Sequence, residues 1–206
     1  MIKRKRTARP PKEKSDKRIA KTKKALKDTL RRLLRIKPLS SITVTELCKD
    51  ADTSRITFYS HYNDKNALMD EMVRDMVSEA VDRYLYLQKE NAAAGDPGKP
   101  AENLVDAMLD ALARNNELFL SLDPRDSSDV YNAFFSQLVP AVEHFLDQAV
   151  PGKRNRGELK RYAVFLCSGL RDFLWECRAQ EMDGAALREN GRKLATASLQ
   201  AVLDCI

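Results

Sequence analysis

The stretch Ile42-Thr43-Val44-Thr45-Glu46-Leu47-Cys48-Lys49-Asp50-Ala51-Asp52-Thr53-Ser54-Arg55-Ile56-Thr57-Phe58-Tyr59-Ser60-His61-Tyr62-Asn63-Asp64-Lys65-Asn66-Ala67-Leu68 decides how the rest of the chain is read. Thr43 with Glu46 three residues on has the spacing of a capping box, in which the two side chains satisfy the first free N–H groups of a helix. It opens a short helix over 44–51 with Val44, Leu47 and Ala51 as its apolar stripe. Asp52-Thr53 then forms a tight turn, because Asp enters the left-handed backbone region more readily than most residues. Ser54 caps a second short helix over 55–61. Phe58 and Tyr62 lie four apart and share its core-facing side, leaving Arg55, Thr57, Tyr59, Ser60 and His61 for solvent or a partner. Asn63-Asp64 offers another cap, and a long helix follows to about Lys89, carrying Leu68, Met72, Val73, Met76, Ala80 and Tyr84.

Upstream, Ile19, Leu26, Leu30, Leu33 and Leu34 recur at helical steps from about Asp16, and Pro38 ends the pattern. Lys21, Lys23, Lys24, Lys27, Arg31, Arg32 and Arg35 fill much of the remaining surface of that helix. Three helices, the last two joined by a turn of about three residues, form a helix-turn-helix pattern. In such a unit the first helix packs its leucines on the pair, the second crosses the DNA backbone, and the third lays its polar face in the major groove. Two tyrosines, a histidine, an arginine and several hydroxyls within the nine residues 54–62 suit phosphates and base edges.

Charge divides along the same line. Residues 1–66 carry 20 Lys/Arg and 7 Asp/Glu, whereas 67–206 carry 16 and 23. A basic end on an acidic body points to a polyanionic partner, nucleic acid or an anionic membrane. Residues 1–15, with Lys3, Arg4, Lys5, Arg6 and Pro10-Pro11, read as a flexible basic arm that enters a minor groove or raises non-specific affinity.

Residues 17–70 resemble the DNA-binding signature of the tetracycline-repressor (TetR) family: Phe58-Tyr59 near the end of the recognition helix, then Tyr62, Lys65 and Leu68. Asp52 stands where that family usually has Gly. The resemblance implies that Tyr59 and Lys65 bind phosphates, Lys65 beside the N-terminus of the long helix. It implies that Thr43 caps the second helix and touches a phosphate. Arg55, Thr57, Ser60 and His61 become the base-edge or groove contacts, Phe58 and Tyr62 structural residues, and Cys48 a core residue. It further implies a palindromic operator in double-stranded DNA, a homodimer, repression, and release by a small-molecule effector. An activator of the same fold working through a protein co-regulator is the alternative.

The remainder reads as all-helical. After the Gly/Pro-rich loop of 91–100, helices are expected over 101–114 with a continuation near 116–121, over 127–149 with Pro140 as a bend or break, over 158–181 and over 185–204. The expected organisation is therefore an arm (1–15), a three-helix DNA-binding domain (16–66) and a larger helical effector-binding and dimerisation domain (67–206). Tyr162, Phe165, Leu166, Gly169, Phe173 and Trp175 on one of the last two helices, and Leu187, Leu194, Ala197, Leu199, Ala201 and Val202 on the other, would build a four-helix dimer interface or the core of one chain. Tyr131, Phe134, Phe135, His144 and Phe145 would line an effector pocket or fill the core.

Other classes lose ground on composition and motif. The 7 Gly and 8 Pro in 206 residues are few for an all-β protein. No apolar run approaches the roughly 20 residues of a membrane span, and no apolar stretch follows the basic start as in a secretory signal, so a cytoplasmic address is expected. A peripheral membrane protein would not need the three-helix capping pattern. Cys48, Cys167, Cys177 and Cys205 with His61 and His144 lack the paired spacing of a zinc site, so no metal and no cofactor is expected. No phosphate loop or nucleophile motif marks an enzyme.

Overall fold

The computed structural model describes residues 12–93, 99–115, 128–149 and 156–205. Its helices are α1 (Lys12–Leu34), α2 (Val44–Asp50), α3 (Arg55–Tyr59), α4 (Lys65–Ala93), α5 (Pro100–Arg114), α6 (Ser128–Ala149), α7 (Arg156–Ala179) and α8 (Gly184–Cys205). A single 3-10 turn, Leu39–Ser41, joins α1 to α2, and there is no strand among the described residues. The chain is thus all-α, as its sequence pattern predicts. The basic arm and the continuation near 116–121 lie outside the described residues, as does the side chain of Tyr131.

The caps sit where the sequence places them. The Thr43 hydroxyl accepts from the Glu46 N–H at 3.2 Å, Ser54 from Thr57 at 3.0 Å, and Asp64 from Ala67 at 2.8 Å. Glu46 turns its carboxylate to Lys37, with both oxygens within 2.7 Å of Nζ. Asp52 has φ of 48°, the left-handed geometry expected of the turn.

Leu26, Leu30, Leu33 and Leu34 of α1 meet Leu47 and Cys48 of α2, Phe58 of α3 and Leu68 and Met72 of α4 in one buried cluster. Ile19 departs from the expected stripe: residues 16–21 are all exposed, so this end of α1 stands outside the packed bundle. Ion pairs fasten α1 to the start of α4. Lys23 and Lys27 both reach Glu71, at 2.8 and 2.7 Å, and Lys27 also reaches Asp75 at 2.6 Å.

In the larger body, α5 is central. Ala101, Val105, Ala107, Met108 and Ala111 are buried between α4 and α8. Arg188 and Arg192 of α8 clasp Asp106, and Arg188 with Arg83 of α4 clasps Asp110. A Cβ at Gly191 would lie 3.2 Å from Val105 Cγ1, so α8 approaches α5 closely there. Helix α6 runs unbroken through Pro140. Pro140 and Ser136, whose carbonyl the ring leaves unbonded, are both exposed, so water can satisfy it. Phe134 and Phe135 are buried in the core, rings edge to face at 5.3 Å.

Candidate nucleic-acid interface

Two locally capped helices and one buried aromatic pair position the site. Phe58 is fully buried, and Tyr62 packs against it at 5.7 Å between ring centroids. Together they anchor α3 to the core, as expected of them, and a five-residue helix anchored from one side must show its other side outward. Four residues, Ala51 to Ser54, separate α2 from α3. The turn is closed by the Thr53 N–H donating to the Cys48 carbonyl at 2.9 Å. Cys48 is buried, and burial pushes its thiol pKa up against the pull of Arg55.

The outward side of α3 gathers part of the expected set. Arg55, Tyr59 and Ser60 are exposed. The Arg55 guanidinium lies 6.0 Å from the Tyr59 ring centroid, a cation–π contact that holds a flexible side chain near the helix surface. Tyr59 is 48 % exposed and rests edge-on against Phe58 at 5.4 Å, so its phenol projects from a fixed base. Thr57 and His61 are half-buried. The Thr57 hydroxyl is within 2.8 Å of the Ser54 hydroxyl, and Ser60 donates to the Thr57 carbonyl at 2.7 Å. Both hydroxyls therefore stabilise the helix while keeping acceptor capacity for a partner. Thr43 is exposed at the start of α2.

Lys65, a phosphate contact by the resemblance, is held within the chain. Its ammonium donates to the carbonyls of Leu39, Ser40 and Ile42 at 2.7, 2.9 and 2.8 Å. An ammonium has three N–H donors, and all three are engaged within the chain. Lys65 thus ties the 3-10 turn before α2 to the first turn of α4.

The residue that the sequence reading passed over is Ile56, 85 % exposed on the same outward side. It could have been found: it lies two residues before Phe58, about 200° around the helix from the core-facing position.

Behind α3, Lys23 sits 5.3 Å from the Tyr62 ring centroid. The Tyr62 hydroxyl is buried and faces the Glu71 carboxylate. Burial, and then the Glu71 and Asp75 carboxylates, raise its pKa above the ordinary phenol value. Burial opposes ionisation of Glu71, but the bonds from Lys23 and Lys27 outweigh it and bring its pKa down to about 2.

A second feature lies in the body. One apolar cavity of about 150 Å³ is lined by residues that include Phe165, Leu166 and Leu194, and another of about 210 Å³ by residues that include Val81, Tyr84 and His144. Leu104, Met108 and Phe145 form a wall common to both. Of the aromatic residues weighed for such a pocket, Phe145 and His144 line it, while Phe134 and Phe135 belong to the core. Burial pushes the Tyr84 phenol up to about 12, against the hydrogen bond with Gln88, and the ring stands edge-on to Phe145 at 5.8 Å. No group of three or more His, Cys, Asp or Glu among the described residues is placed to hold a metal ion. No helix among them is long and apolar enough to cross a membrane.

No family model matches the sequence. A curated relative, an uncharacterized HTH-type transcriptional regulator of Haemophilus influenzae, is 24% identical over 166 residues, which are 79% of this chain and 78% of that one. A crystal structure of a TetR/AcrR-family transcriptional regulator from Aquifex aeolicus superposes with a TM-score of 0.54 at 19% identity, over 85% of this chain and 98% of that one. Over most of its length the chain therefore has the all-helical fold of a TetR/AcrR transcriptional regulator.

Proposed function

We propose that this protein is a TetR-type transcriptional regulator that reads a palindromic operator as a homodimer. The observation that carries the reading is the outward side of α3, where Arg55, Tyr59 and Ser60 are presented on a helix pinned from behind by buried Phe58 and Tyr62. Residues 16–66 form the reading head, and 67–206 the body. Arg55 reads a base edge, Tyr59 and Thr43 contact phosphates, and Thr57, Ser60 and His61 complete the groove contacts. Lys65 holds the loop before α2 in place. The basic arm adds affinity that does not depend on sequence.

The body pairs two copies through α7 and α8. Phe165 is 62 % exposed on α7 and Leu194 is 42 % exposed on α8, two large apolar groups that a second copy would cover. Pairing is needed because one recognition helix reads too few bases, and two heads set roughly 34 Å apart meet successive major grooves. An uncharged small molecule in the cavities of the body moves the heads from that spacing and releases the operator, so the protein acts as a repressor. Helix α4 supports this coupling: it begins at Lys65 in the head and lines a cavity with Val81 and Tyr84. The effector works only through its preference for the released arrangement over the bound one.

Selection of binding sites from random duplexes with the full chain tests the proposal. An enriched inverted repeat is expected, with Arg55→Ala costing about 1–3 kcal/mol on it and flattening the ranking of site variants. Enrichment of no sequence, or an unchanged ranking in Arg55→Ala, overturns it.

A further inference from the structure

Ile56 is the most exposed large hydrophobic residue among those described, and it stands at the centre of the face proposed to meet DNA. It has no polar atom with which to meet a phosphate or donate to a base. Its neighbours leave it uncovered: Arg55 leans over the Tyr59 ring, Thr57 turns its hydroxyl to Ser54, and Phe58 faces the core. A β-branched side chain is held to few rotamers, so Ile56 offers a preformed apolar surface rather than a mobile one. In the major groove one base feature matches such a surface, the 5-methyl group of thymine, which no other base carries there. We infer that Ile56 determines specificity by packing on a thymine methyl, beside the base edge read by Arg55. The inference rests on the DNA-reading role proposed above and names one base of the site.

The test uses the full chain and the site that it selects from random duplexes. Each thymine of the half-site is replaced in turn by deoxyuridine, which removes the methyl and leaves every hydrogen-bonding group in place. Wild-type protein is expected to lose about fourfold in affinity at one position, the worth of one buried methyl group. Ile56→Ala is expected to bind the thymine and deoxyuridine duplexes alike at that position, while Ile56→Val keeps part of the difference. Because the side chain is exposed, the helical circular-dichroism signal of both variants is expected to match wild type. If a site is selected but no deoxyuridine replacement weakens wild type more than Ile56→Ala, the thymine contact is wrong and the DNA-reading role stands. If no site is selected, the reading role itself fails and the contact with it.

Discussion

Lys65 makes intrachain bonds that its place in the sequence does not show. A lysine at the start of a helix near a basic face suits a phosphate, yet here it closes three carbonyls of the preceding turn. Replacing Lys65 by Met should strand those acceptors, costing about 1–3 kcal/mol of stability by urea unfolding with the m-value unchanged. DNA binding should weaken on all duplexes, because the loop before α2 loosens. A phosphate contact predicts the opposite pairing, unchanged stability with a salt slope lower by about one unit. Cys167 behaves simply by comparison: burial pushes its thiol up to about 12, which suits a small core residue and not a reactive one.

At the scale of elements, the junction of α1 and α4 sets how firmly the head is held. Glu71 takes Lys23 and Lys27 of α1, and Asp75 takes Lys27 as well. Burial alone would lower the Lys27 pKa, but the bonds to Asp75 and Glu71 raise it. Glu71 has a folded pKa of about 2 against 4.5 ordinarily, so the folded state binds its proton less tightly than the unfolded state. Its contribution to stability is complete above about pH 4.5 and fades as pH falls toward about 2. Lys27 acts with opposite sign: its contribution is complete below its ordinary pKa of 10.5 and fades as pH rises through the higher folded value. Urea midpoints of Glu71→Gln between pH 7 and pH 2 should therefore converge on those of wild type at the acid end. Curves that stay parallel down to pH 2 would remove Glu71 from the acid response.

At the scale of the whole molecule, apolar residues of α7 divide between buried and exposed positions. Leu159, Ala163, Cys167, Leu170 and Leu174 are buried in the chain's own core, whereas Val164 and Phe165 are exposed. Sedimentation at micromolar concentration should show a dimer for wild type and a monomer for Phe165→Glu, because the proposed pairing would bury an unpaired carboxylate. The variant should still bind a single half-site while losing affinity for the full repeat. A wild-type monomer would remove the twofold model of operator reading.

What the order of residues alone determined here is whatever acts within a turn or two of helix. Thr43, Ser54 and Asp64 cap the residue three positions on, Asp52 adopts the backbone its side chain tolerates, and Phe58 with Tyr62 marks the buried side of α3. These depend on spacings of three and four, and so they can be read before any folding. The tertiary structure decided the rest, because the partners are remote in sequence. Lys65 meets carbonyls 23 to 26 residues earlier, and Glu71 meets a lysine 48 residues earlier. The division among Phe134, Phe135 and Phe145 is of the same kind: three identical side chains lie on one apolar helix, and only the packing of α4 and α7 against α6 settles which fill the core and which border a cavity.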